Sequence, residues 1–93
     1  MTILYLAYEK AKNDDSIKGD PSLLYITNIA IELSLFGLND YMDIDLLKDY
    51  LDYSEQTLRN KLNELVDLGI LEKISKNPIR CILKSDYLES YRD

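Results

Sequence analysis

Between Asp43 and Gly69 the chain carries two short amphipathic segments with a break of three or four residues between them, DIDLLKDYLDYSEQTLRNKLNELVDLG. No other stretch restricts the fold as much, because neither segment can bury its apolar side alone. In the second segment Leu58, Leu62 and Leu65 recur at i, i+4 and i+7 and line one stripe of a helix. The opposite stripe holds Gln56, Asn60, Asn63 and Asp67, with Arg59 at its edge. Ser54 is a good N-cap, Glu55 sits well against the positive helix end, and Gly69 supplies the left-handed residue that stops the helix. The first segment starts at Asp43, a cap, with Asp45 adding favourable charge in its first turn. Leu46, Leu47, Tyr50 and Leu51 come next at helical spacing and are expected to face the second helix and the core. At about two turns this helix is too short to stand without packing.

A short helix, a tight turn and a second helix showing amides and an arginine outward is the pattern of a helix-turn-helix. The stretch after Gly69 adds specificity. Ile70 to Ser75 and Ile79 to Lys84 are two matched runs rich in β-branched residues around Lys76-Asn77-Pro78, which predicts a β-hairpin. With Ser54, Thr57, Leu58, Leu62, Leu65 and the passage Leu68-Gly69-Ile70-Leu71, the chain resembles the winged helix-turn-helix superfamily over roughly residues 24 to 84. Within it the resemblance is to small prokaryotic repressors of the arsenic-responsive and multiple-antibiotic-resistance types. The expected fold is therefore mainly α with a small β-hairpin, with extra helical segments at both termini and a single domain over 1–93.

Ninety-three residues allow one modest core. No uncharged run of 18 residues is present, and the N-terminus lacks the basic and apolar regions of a signal peptide, so a cytoplasmic protein without a membrane span is expected. The single cysteine, Cys81, cannot form an internal disulfide and reads as a small buried residue rather than a redox sensor. Histidine is absent, which removes the commonest acid–base catalyst and the histidine-dependent nucleophilic and zinc arrangements. Three glycines make no phosphate-cradling loop. The carboxylate pairs Asp14-Asp15 and Asp43/Asp45 read as solvated surface. The chain is expected to be no enzyme and to need no cofactor.

Along the rest of the chain, residues 2 to 12 have features of both a helix and a strand, with Glu9-Lys10-Ala11-Lys12 favouring an amphipathic helix. Asn13 to Gly19 is a polar loop. Asp20 before Pro21 marks a helix start, and Gly37 ends that helix. Its apolar residues, from Leu23 to Phe36, spread over more than one face, so it should be covered on several sides. The surplus suits either residues 2 to 12 or a second copy of the chain. Ser85 is placed to cap a final helix from Asp86 to Arg92.

The net charge of −6 opposes binding to a polyanion, but its distribution is uneven. Residues 54 to 84 hold six basic and four acidic groups, a balance of +2, while the remainder holds five against thirteen, −8. Salt screens charges beyond about 8–10 Å, so the local field governs contact. The resemblance implies double-stranded DNA as partner. The helix from Ser54 would enter the major groove, with Gln56 and Asn60 on adenine edges and Arg59 on guanine or a phosphate. Ser54, Thr57, Lys61 and Asn63 complete its contact set, and Lys73, Lys76 and Arg80 on the wing would meet phosphates or the minor groove. Asp67, Glu55 and Glu64 are more acid than such a helix usually carries. A homodimer reading a pseudo-palindromic operator is the expected form. The alternative is a non-catalytic protein-interaction module on the same frame, favoured by the acidic balance and eight tyrosines.

Overall fold

The computed structural model describes the backbone of residues 2–87 and the side chains of residues 4–87. Four helices and three strands run in the order α1 (Thr2–Lys12), α2 (Pro21–Phe36), β1 (Met42–Asp43), α3 (Ile44–Tyr50), α4 (Glu55–Asp67), β2 (Leu71–Lys76) and β3 (Ile79–Leu83) among these residues.

The helix boundaries arise from local chemistry. Asp20 is extended, and its carboxylate accepts from the Ser22 N–H at 3.0 Å, with Pro21 in the first turn where no donor is missed. Gly37 ends α2 in the left-handed region at φ 62°, its N–H donating to the Leu33 carbonyl. Asp43 caps α3 through the Leu46 N–H at 2.8 Å, and Ser54 caps α4 through the Thr57 N–H at 3.2 Å. After α4 the Ile70 N–H reaches the Leu65 carbonyl at 3.1 Å and the Gly69 N–H reaches Val66 at 3.0 Å. These paired bonds, with Gly69 at φ 79° and Ile70 and Leu65 both buried, form a Schellman stop that aims the chain into the sheet.

The sheet is antiparallel in the order β1-β3-β2. Its third strand is the one element not expected from the sequence. Met42 and Asp43 pair with Cys81 and Arg80, so the segment leading into α3 is a strand rather than a plain connection. The hairpin turn is also shorter than expected, with Lys76 inside β2 and only Asn77 and Pro78, joined by a cis peptide bond, between the strands. A bulge at Ile74 interrupts the β2–β3 register between Lys73 and Ser75.

One core joins these layers. Leu23, Ile26 and Ile31 of α2, Leu47 of α3, Leu58, Leu62 and Leu65 of α4, and Met42, Leu71, Ile79 and Cys81 of the sheet are all buried in it. Ala7 and Ala11 bring α1 against α2, so part of the apolar surplus of α2 is spent there. One expectation fails in this layer: Tyr50 is 59% exposed instead of facing α4, while Ile44 at the start of α3 is buried. Phe36 at the end of α2 is exposed, part of the surplus that the core does not cover. The final helix expected over residues 86–92 lies largely outside the described residues; Ser85 to Tyr87 form a turn.

Asp14 and Asp20 are not idle loop carboxylates. Asp14 accepts from the Ser16 hydroxyl, from the Ser16 N–H at 3.0 Å and from the Tyr87 hydroxyl at 3.1 Å; burial works against its charge, but these bonds, the Ser16 hydroxyl's first, hold its pKa below the ordinary value. Asp20 accepts from Lys61 at 2.8 Å as well as capping α2, and the Lys61 and Ser22 hydrogen bonds together lower its pKa to about 2. A carboxylate depressed in the folded state stabilises above its unfolded value of 3.8, and that contribution disappears as pH falls toward 2. Asp20→Asn keeps a competent cap but loses the ion pair. Its melting temperature should fall less than that of the parent between pH 4 and pH 2, with a loss of about 0.5–1 kcal/mol at pH 7. Parallel slopes in thermal melts would exclude the pairing.

Candidate nucleic-acid interface

The core stripe of α4 dictates what its other side presents. With Leu58, Leu62 and Leu65 all fully buried, Gln56 and Asn60 stand exposed on the opposite side. Their amides are joined, Gln56 Nε2 donating to Asn60 Oδ1 at 2.9 Å. That bond leaves the Asn60 amide N–H₂ and the Gln56 carbonyl oxygen able to donate and accept outward, the complement of an adenine edge. Ser54 and Thr57 lie at the start of the helix, their hydroxyls 2.8 Å apart.

A charged pair runs beside the amides. Arg59 Nη2 lies 3.2 Å from Glu55 Oε2, one turn earlier, and Lys48 of α3 approaches the other carboxylate oxygen at 3.8 Å. All three side chains are substantially exposed, so these contacts add little to stability. Their effect is on position.

The hairpin meets this corner. A groove of about 270 Å³ is lined by Asp43 and Asp45 of β1–α3, Glu55 and Arg59 of α4, and Pro78, Ile79 and Arg80 of the hairpin. Arg59 and Arg80, distant in sequence, thus line one groove. Arg80 stacks over the Tyr41 ring at 4.6 Å, and its buried Nε finds no hydrogen-bond partner among the described residues. The acids of the groove are partly engaged: Asp43 accepts from the Leu46 N–H, and Glu55 faces Lys48 and Arg59.

Not every predicted contact residue joins this surface. Lys61 turns to the other edge of α4 and pairs with Asp20, which raises its pKa. Asn63 is half-buried. In the hairpin the pleat separates the basic residues. Lys73 pairs with Cys81 and Lys76 with Ile79, whereas Arg80 pairs with Ser75 and Asp43 on the alternate register positions. Lys73 is half-covered, while Lys76 is exposed near the hairpin tip. The residues that sequence reasoning left out of the site are Lys48, Tyr41 and Asp45. A stacking partner for Arg80 has no local sequence signal, because the strand that brings Tyr41 close is only two residues long.

Cys81 lies on the buried side of β3, and burial pushes its thiol pKa up to about 11, with Lys73 acting in the opposite direction. A thiol so protonated is a poor nucleophile. In the native protein Cys81 should stay unmodified by a disulfide-exchange reagent at pH 8 and react fully in denaturant. Fast native labelling, read by absorbance, would contradict its burial.

Residues 33–75, from the last turn of α2 into β2, match the model of the DeoR-like helix-turn-helix domain. Neither a curated protein nor a solved structure matches the chain. No helix among the described residues is long and apolar enough to cross a membrane.

Proposed function

We propose that this chain, with a winged helix-turn-helix fold and residues 33–75 matching the DeoR-like helix-turn-helix domain, is a small dimeric repressor that reads operator DNA in the cytoplasm. In this reading α4 enters the major groove and the β2–β3 hairpin, the wing, meets the flanking backbone. The observation that carries it is the shared groove: Arg59 of α4 and Arg80 of the wing line one open surface beside the exposed Gln56–Asn60 amide pair. Amides offering both a donor and an acceptor suit base edges, and guanidinium groups suit guanine or phosphate. The acidic excess of the chain does not decide the matter, because six of its basic groups fall within residues 54 to 84.

Ser54 and Thr57 at the helix start would position the backbone, as would Lys76 at the wing tip. Lys61 and Lys73 belong to supporting roles in this scheme, the first holding α4 to the start of α2 through Asp20. The acid that remains within the groove, chiefly Asp45, would disfavour non-specific phosphate contact.

Dimerisation is supported by apolar surface away from α4. Tyr5 on α1 and Tyr25 on α2 are 63% and 50% exposed, and Phe36 is exposed at the end of α2. Aromatic residues of this kind are enriched at interfaces. The same observation favours the second reading, a protein-interaction module that engages a different partner through these helices.

Duplex binding at two salt concentrations separates the readings. A DNA reader loses affinity steeply as salt rises, and Lys76→Ala with Arg80→Ala should flatten that slope by about one unit per phosphate contact removed. Gln56→Ala or Asn60→Ala should instead relax base preference by about 1–3 kcal/mol per lost contact. Affinity indifferent to salt and to all four changes would leave the interaction module standing. Light scattering at tens of micromolar should give twice the chain mass; a monomer would remove the dimer from the proposal.

A further inference from the structure

Glu55 is an acid on the α4 surface proposed to read DNA, and it faces a cation on each of two helices. It is the first residue of the helix, where its charge suits the exposed N–H groups, but Ser54 already caps that end. Its two carboxylate oxygens face different cations: Arg59 at 3.2 Å within α4 and Lys48 at 3.8 Å from α3. Lys48 and Arg59 outnumber Glu55 at this junction, so the three together remain cationic despite the acid. Three exposed side chains of this kind gain little stability from meeting, and the arrangement matters instead for where the Arg59 guanidinium points.

Arginine unrestrained on a helix surface finds a phosphate as readily as a base. Paired one turn back with a carboxylate at 3.2 Å, it is biased toward that geometry before binding, with its unoccupied N–H edge turned away from the acid. A carboxylate in the same place is repelled by phosphate and by the acceptor atoms of guanine and thymine, and accepts only from the amino groups of cytosine or adenine.

We propose that Glu55 is a specificity-determining residue of α4. It turns Arg59 from a general phosphate contact into a guanine reader and requires an amino-bearing base beside that guanine. This rests on the DNA-reading function proposed for the chain and assigns a role to the acid that this function leaves unexplained. The bases selected would then divide between two neighbouring pairs of side chains: Glu55 and Arg59 favour a guanine with adjacent cytosine or adenine, and Gln56 with Asn60 favours adenine next to it.

The test starts from a randomised duplex library, from which the parent protein selects its preferred site. Affinities for that site and for a scrambled duplex of equal length are then compared for the parent, Glu55→Gln and Glu55→Asp at one salt concentration. Glu55→Gln should bind the scrambled duplex more tightly and the selected site no better, reducing the ratio of the two by about 10-fold. Glu55→Asp keeps the charge but draws the carboxylate one methylene closer to the backbone, so that Arg59 must bend away from its parent direction to meet it. It should lose the same ratio with no gain on scrambled DNA. Equal tightening on both duplexes in Glu55→Gln, with Glu55→Asp unchanged, would make Glu55 a simple phosphate repellent and overturn the proposal. A selected site without guanine would overturn it too. If the parent binds no duplex even at low salt, the DNA-reading function itself falls, and this role with it.

Discussion

The burial of Leu58, Leu62 and Leu65 fixes the rotation of α4, and with it every polar group the helix can offer. Each leucine removed from water contributes about 1.5–3 kcal/mol, a large share of the roughly 5–15 kcal/mol that a small domain has in total. A rotation of α4 by even one residue position would forfeit most of that. α2, α3 and β2 all pack against the same helix, so its orientation is settled from several sides. The Schellman stop at Gly69 then sets the direction in which the hairpin leaves, and the Lys84 N–H closes back onto the Ile70 carbonyl at 2.9 Å. Helix and hairpin are therefore placed relative to each other by apolar packing and backbone bonds, not by the charges on their surfaces.

That division leaves the exposed charges of α4 with almost no part in holding the fold together. The exposed ion pairs of α4 barely affect stability, and they can be rearranged at small cost. Lys61 differs. Its side chain is only a quarter exposed and its ammonium sits 2.8 Å from Asp20, tying α4 to the first turn of α2. One carboxylate thus caps one helix and anchors another.

Most helix limits were legible because their causes are local. Asp20-Pro21, Asp43, Ser54, Gly37 and Gly69 each act within a few residues, and the leucine period of α4 needs no tertiary knowledge. What escaped depends on pairing across the chain. β1 is two residues long and exists only because Cys81 and Arg80 lie alongside. Lys61 sits about 60° from Leu58 around the helix axis, close enough to the apolar stripe to reach inward, but its partner is 41 residues away. The hydrogen bond from Tyr87 to Asp14 spans 73 residues and has no sequence signature. In the hairpin the bulge at Ile74 breaks the simple alternation, so counting by twos misassigns which basic side chains share a face. Tyr50 obeyed the helical spacing but lies at the last turn of α3, where the chain is already leaving the core.

Asp43 is both the last residue of β1 and the residue whose carboxylate starts α3. No linker separates the two elements. A connection of several residues would absorb tilting by changing its own backbone angles; a shared residue cannot. The residue that pairs with Arg80 of β3 is thus the same residue that sets the start of the α3 axis. The sheet and the first helix of the pair are thereby joined at a single residue, and residues 37–41 and 51–54 are the flanking stretches outside helix and strand.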